Sequence, residues 1–90
     1  GQGFGAGLMV PVLSYYLPLI NDLSKIIDEN PKRIGKKFIN VNPPILGIES
    51  SNNKQPMLIT AITTKTAARN IFIKLDKLGY NDIYLPTLNS

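Results

Sequence analysis

Leu23-Ser24-Lys25-Ile26-Ile27-Asp28-Glu29-Asn30-Pro31-Lys32-Arg33-Ile34-Gly35-Lys36-Lys37-Phe38 is the stretch whose reading decides the fold. It opens as an apolar run over residues 23–27 and stops at a carboxylate, Asp28. An Asn-Pro pair, a glycine and the four cations Lys32, Arg33, Lys36 and Lys37 follow. A buried parallel strand that empties into a ligand-facing loop has this pattern, because open α/β sheets bind ligands beyond the carboxyl ends of their strands.

Upstream, Gly1, Gly3 and Ala6 fit the G-x-G-x-x-G/A spacing of a phosphate-binding turn, and Gly5 falls inside it. In that motif the first glycine makes the turn, the second admits a phosphate, and the small third residue packs helix on strand. Asp28 then stands where an acidic residue meets a ribose hydroxyl. Residues 8–17 follow as a helix, apolar on most sides and therefore expected to be buried. Pro11 suits its first turn and Pro18 ends it.

Downstream, Asn30-Pro31 and Gly35 keep the chain irregular. Residues 38–41 add a little extended structure, and Asn42-Pro43-Pro44-Ile45-Leu46-Gly47 makes an extended crossing. Residues 57–62, Met-Leu-Ile-Thr-Ala-Ile, form an apolar run suited to an inner parallel strand. A threonine among residues 63–66 caps the last helix, which continues to Leu78 and stops at Gly79. Ala68, Ile71, Phe72, Leu75 and Leu78 make its apolar stripe, with Arg69, Asn70, Lys74 and Lys77 facing water. Residues 83–85 form the last strand. The order is glycine turn, helix, strand, loop, strand, helix, strand: an α/β parallel sheet with helical crossovers.

One element is missing from that order. A glycine turn of this type needs an apolar strand before it, and nothing precedes Gly1. The expected unit is therefore one incomplete domain over residues 1–90, truncated at its N-terminus and lacking its central first strand. Residues 57–62 are then left with an open edge.

Composition narrows the chemistry. The 90 residues hold no cysteine and no histidine, which removes zinc sites, Cys-His dyads and Ser-His-Asp triads. Asp28 and Glu29 are adjacent, so on an extended chain their side chains diverge and make no acid/base pair. Thr63-Thr64-Lys65-Thr66 lacks the glycine a P-loop needs. No catalytic and no metal-binding residue is expected. The net charge of +4 comes from cations spread along the chain, with no aromatic RNA-binding motif beside them, so nucleic acid is not the expected partner. The apolar stretch over residues 8–20 is shorter than the ~20 residues of a membrane span.

Ile26-Ile27-Asp28-Glu29-Asn30-Pro31-Lys32-Arg33-Ile34-Gly35-Lys36 resembles the "DxNPxKxGK" segment of the C-terminal domain of bacterial sugar C-methyltransferases and related S-adenosylmethionine-dependent methyltransferases, with Arg33 in place of the usual lysine. Gly5-Ala6 looks like that domain's opening glycine turn, Pro44-Ile45 like its Pro-Ile crossing, and Tyr84-Leu85-Pro86 like its closing strand. The family's Trp-containing segment is absent, and Thr63-Thr64-Lys65-Thr66 stands there instead. Pro44-Ile45-Leu46-Gly47 is also similar to the nucleotide-sugar-binding domains of sugar O-acetyltransferases and epimerases.

The resemblance implies a small Rossmann-like domain, part of a transferase whose chemistry and S-adenosylmethionine lie in a separate domain. Its implied role is to help hold a nucleotide sugar in bacterial surface-glycan or deoxysugar biosynthesis, in the cytoplasm. The alternatives are the nucleotide-sugar-binding domain of an acetyltransferase or epimerase, and a non-catalytic dinucleotide-binding or structural domain. The expected ligand-binding residues are Gly1, Gly3, Gly5, Asp28, Asn30, Lys32, Arg33 and Lys36. The expected partners are a nucleotide sugar and the absent N-terminal part of the same protein.

Overall fold

The computed structural model describes residues 1–61 and 63–86. Five strands form one parallel sheet: β1 (Gln2–Phe4), β2 (Ile26–Ile27), β3 (Ile45–Leu46), β4 (Met57–Ile59) and β5 (Ile83–Tyr84), in the spatial order β3-β2-β1-β4-β5. Helix α1 (Val10–Tyr16) joins β1 to β2, and helix α2 (Lys65–Lys77) joins β4 to β5. The result is an α/β fold with one helix on each face. Crossovers of one hand that step in opposite directions from the centre of a sheet place their helices on opposite faces.

The expected absence of the first strand is corrected here. Gln2–Phe4 is that strand, at the centre of the sheet, paired with β2 on one edge and β4 on the other. Three residues suffice because both neighbours supply ladder bonds: Gly3 N donates to Lys25 O at 2.9 Å and Thr60 N to Phe4 O at 2.9 Å. β4 is therefore paired on both sides, by β1 and β5, and has no open edge. Gln2, an unpromising strand residue, is fully buried because its side-chain amide exchanges bonds with the backbone of Asn52. A paired amide avoids the penalty of an unmade buried hydrogen bond.

Alternation along the strands builds two cores. Ile26 and Ile45 face α1, joining Ala6, Val10, Leu13, Ile20 and Val41. Phe4, Ile27, Met57 and Ile59 face α2, joining Leu75 and Tyr80. Gly3 leaves room for a neighbour, since a Cβ there would lie 2.8 Å from Thr60 Cγ2.

Several bounds differ from expectation for local reasons. Helix α1 starts two residues late, with Pro11 in its first turn, and ends where Leu17 leaves helical geometry before Pro18. Its outer face is exposed rather than buried, because no element among the described residues covers it. Residues 38–41 are not extended: Ile39 and Asn40 form a turn, with Asn40 at φ 64°. The third strand lies instead at Ile45–Leu46, inside the proline-bounded crossing. Ile62, expected to close the strand of residues 57–62, lies outside the described residues. Along α2, Ala68 and Leu75 are buried, Ile71 and Phe72 only partly so, and Leu78 is exposed. Thr64 caps this helix by accepting from Ala67 N. Among the described residues no helix is long and apolar enough to cross a membrane.

Candidate functional site

The chain leaves β1 at Phe4 and turns at once through Gly5-Ala6-Gly7 towards α1. Gly5 sits at φ 108°, a left-handed value that side chains other than glycine resist, and its N–H donates to Ile27 O at 2.8 Å. Thr60, buried just past β4, donates its hydroxyl to Gly5 O at 2.6 Å. The turn is thus held from both neighbouring strands.

Asp28 stands at the carboxyl end of β2, as expected, with its own N–H bonded to Leu46 O. Its carboxylate is buried and acts as a brace. Oδ2 accepts from Ala6 N at 2.7 Å and from Arg33 Nη1 at 3.3 Å, and Oδ1 accepts from Asn30 N at 2.7 Å. A carboxylate offers roughly four acceptor positions, so Oδ1 keeps one. Asn30 turns the loop further: its side-chain oxygen accepts from Lys32 N at 3.0 Å and its backbone oxygen from Arg33 N at 2.9 Å. The loop closes onto β3 through Gly35 N to Ile45 O at 2.8 Å and Ile45 N to Lys36 O at 3.0 Å.

The structure therefore joins Gly5, Asp28, Asn30 and Arg33 at one mouth, above the carboxyl ends of β1 and β2. Lys32, Lys36 and Lys37 are exposed on the same loop, and the Arg33 side chain keeps 42% of its accessible surface. Gly1 and Gly3 are placed elsewhere. Gly1 lies at the start of β1, at the far end of the strand, where its carbonyl accepts from Ser24. Gly3 lies inside the strand, facing Thr60 and Leu23. The glycine turn begins at Gly5, four residues later than the spacing from Gly1 suggests.

Reading the sequence missed Ala6 N, Gly7 and Thr60 as parts of this mouth. The shifted pattern Gly5-x-Gly7-x-x-Val10 carries the signal for the first two, with valine in the place of the third small residue. Glu29 points away from the mouth and pairs with Lys74 of α2, both about half exposed, so Lys74 is not simply solvated. Two exposed ions of this kind contribute little to stability.

A cavity of about 210 Å³ opens beside the mouth, beyond β4 and β5, lined by Leu13, Ala61, Thr64, Ala68, Leu85 and Pro86 among others. A larger hollow of about 450 Å³ lies near the opposite end of the sheet, between Ser51-Asn52-Asn53 and Tyr80. Its lining holds no cation, and two of the lining residues, Ser51 and Tyr80, bond each other. Positive charge gathers at the mouth, not there.

No known family model, curated protein or solved structure matches the chain.

Proposed function

We propose that the chain is a Rossmann-like binding domain that holds the phosphate-bearing end of a nucleotide sugar and leaves the chemistry to another domain. Its strand order corresponds to that of doubly wound sheets up to the fifth strand, with the turn from β1 beside the point where the order reverses. The observation that carries the reading is the Asp28 brace. It fixes the glycine turn after β1 and the cationic loop after β2 against each other, taking up Ala6 N and Asn30 N itself and bringing the turn and the loop's positive charge to one mouth.

A pyrophosphate calls for that positive charge. Arg33 offers a planar fork that suits phosphate oxygens, and Lys32 and Lys36 add point charges. The acceptor position left on Asp28 Oδ1 suits a ribose hydroxyl. Asn30 shapes the loop through its side-chain and backbone oxygens. The chain has no cysteine or histidine, and its mouth carboxylate is committed to backbone amides, which supports a holding role over a catalytic one.

The resemblance of residues 26–36 to the sugar methyltransferase segment gives this role a setting: an accessory C-terminal domain in bacterial surface-glycan or deoxysugar biosynthesis, with S-adenosylmethionine in a separate domain. Calorimetric titration with UDP- and dTDP-sugars tests the reading. Wild type binds, and Arg33→Ala weakens binding by about tenfold or more, since a hydrogen bond to a charged group is worth ~1.5–3 kcal/mol. Lys74→Ala, on α2, leaves affinity unchanged. Absence of binding by wild type, or equal binding by Arg33→Ala, contradicts it.

A further inference from the structure

The loop between β2 and β3 carries more than the mouth uses. From Asn30 to Ile48 the chain has four cations and no carboxylate. Arg33 is paired with Asp28, while Lys32, Lys36 and Lys37 are exposed and pair with no carboxylate among the described residues. Two isoleucines stand among these cations: Ile34 is 37% exposed and Ile39 87%.

Ile39 is held outward by its neighbours. Val41 is buried and Phe38 partly buried, both in the core beneath α1. Val41 N donates to Phe38 O at 3.3 Å, and Asn42 N donates to Asn21 Oδ1 at 2.9 Å. The chain between these anchors has to turn, and Asn40 does so at φ 64°, in the left-handed region that asparagine tolerates. Ile39 is thereby fixed at the tip, next in the chain to the core-anchored Phe38 and two residues from Lys37.

We propose that this loop docks on an anionic lipid surface, with Ile39 entering the acyl boundary and Lys32, Lys36 and Lys37 lying among the phosphate headgroups. Charge complementarity selects a polyanion, and the isoleucines select which one. Single-stranded nucleic acid offers phosphates but rewards aromatic stacking platforms, and the loop's one aromatic ring, Phe38, packs against the core. An exposed aliphatic tip gains nothing there. An acidic protein would have to supply a pocket shaped for Ile39. A bilayer has an apolar phase directly beneath its charges and accepts a protruding tip without such a pocket. Each cation near an anionic leaflet strengthens attachment about fivefold, an effect that salt screens. Lys37 and Ile39 take no part in the mouth, so docking and ligand binding are separable.

Co-sedimentation at low salt tests this, with vesicles of phosphatidylcholine alone and of phosphatidylcholine and phosphatidylglycerol in equal parts. Wild type binds the mixed vesicles and not the neutral ones. Lys37→Glu, a change of two charges, weakens binding about thirtyfold. Ile39→Ser weakens it about tenfold by removing the inserted side chain. Both positions are exposed, so the circular dichroism of either variant matches wild type, and Ile39→Ser leaves the UDP-sugar titration unchanged. Glycerol phosphate, at the concentration of the lipid headgroups, does not displace the protein. No binding of wild type to the mixed vesicles overturns the proposal, as does binding that Ile39→Ser leaves intact. Displacement by glycerol phosphate, or tighter binding to single-stranded DNA than to the vesicles, overturns it equally.

Discussion

Asp28→Ala is expected to lower the unfolding free energy by about 2–4 kcal/mol. The carboxylate is buried and takes two backbone amides, Ala6 N and Asn30 N, which the variant leaves without an acceptor. A buried donor stripped of its partner costs ~1–3 kcal/mol. The Arg33 contact adds less, because that side chain is partly exposed and its bond is long at 3.3 Å. A domain of this size has a total stability of roughly 5–13 kcal/mol, so the loss is a large share of it. Asp28→Asn retains one acceptor but turns an N–H₂ towards the other amide, and is expected to recover only part. Urea unfolding of the three proteins measures this. A loss below 1 kcal/mol in Asp28→Ala would mean that the brace is dispensable.

Leu75→Ala is expected to cost about 2–5 kcal/mol, the range for emptying a fully buried leucine site. That corresponds to a fall in Tm of at least ~8 °C for a domain of this length. Leu75 is fully enclosed among Phe4, Ile27, Met57, Ile59 and Tyr80 and is the main tie between α2 and the sheet. Phe72, the larger residue and the more obvious candidate in the sequence, is only partly buried. Phe72→Ala is therefore expected to cost less than Leu75→Ala, and thermal melts of the pair decide the ranking. The reverse order would place the helix about a sixth of a turn away from the face described here.

Elements marked by strong local chemistry were legible. Pro11 and Pro18 delimit α1, Thr64 and Gly79 bracket α2, and Asp28 closes the apolar run of β2. These signals act within a few residues, so the sequence displays them directly. The elements that escaped depend on distant partners. Gln2-Gly3-Phe4 has little strand propensity, and it is a strand because β2 and β4 flank it and Asn52 satisfies Gln2. Ile45–Leu46 reads as a proline-stiffened crossing until β2 is beside it.

The same holds at the mouth. That an acidic residue ends β2 could be read, but its bond to Ala6 N crosses 22 residues and could not. Gly1 and Gly3 matched a spacing that Gly5 and Gly7 also match after a shift. Only the position of β1 decides between the two registers. The exposed outer face of α1 was hidden for a different reason: hydrophobic periodicity tells which residues avoid water, not whether anything is present to cover them.

Backbone amide NMR of the ¹⁵N-labelled chain during titration with a UDP-sugar tests the mouth most directly. The expected result is a saturable shift of the amides of Gly5, Ala6, Gly7, Arg33 and Lys36, with Ser51, Asn52 and Tyr80 at the far hollow unmoved. No shift at excess ligand, or shifts confined to Ser51, Asn52 and Tyr80, would contradict a phosphate site beyond the carboxyl ends of β1 and β2.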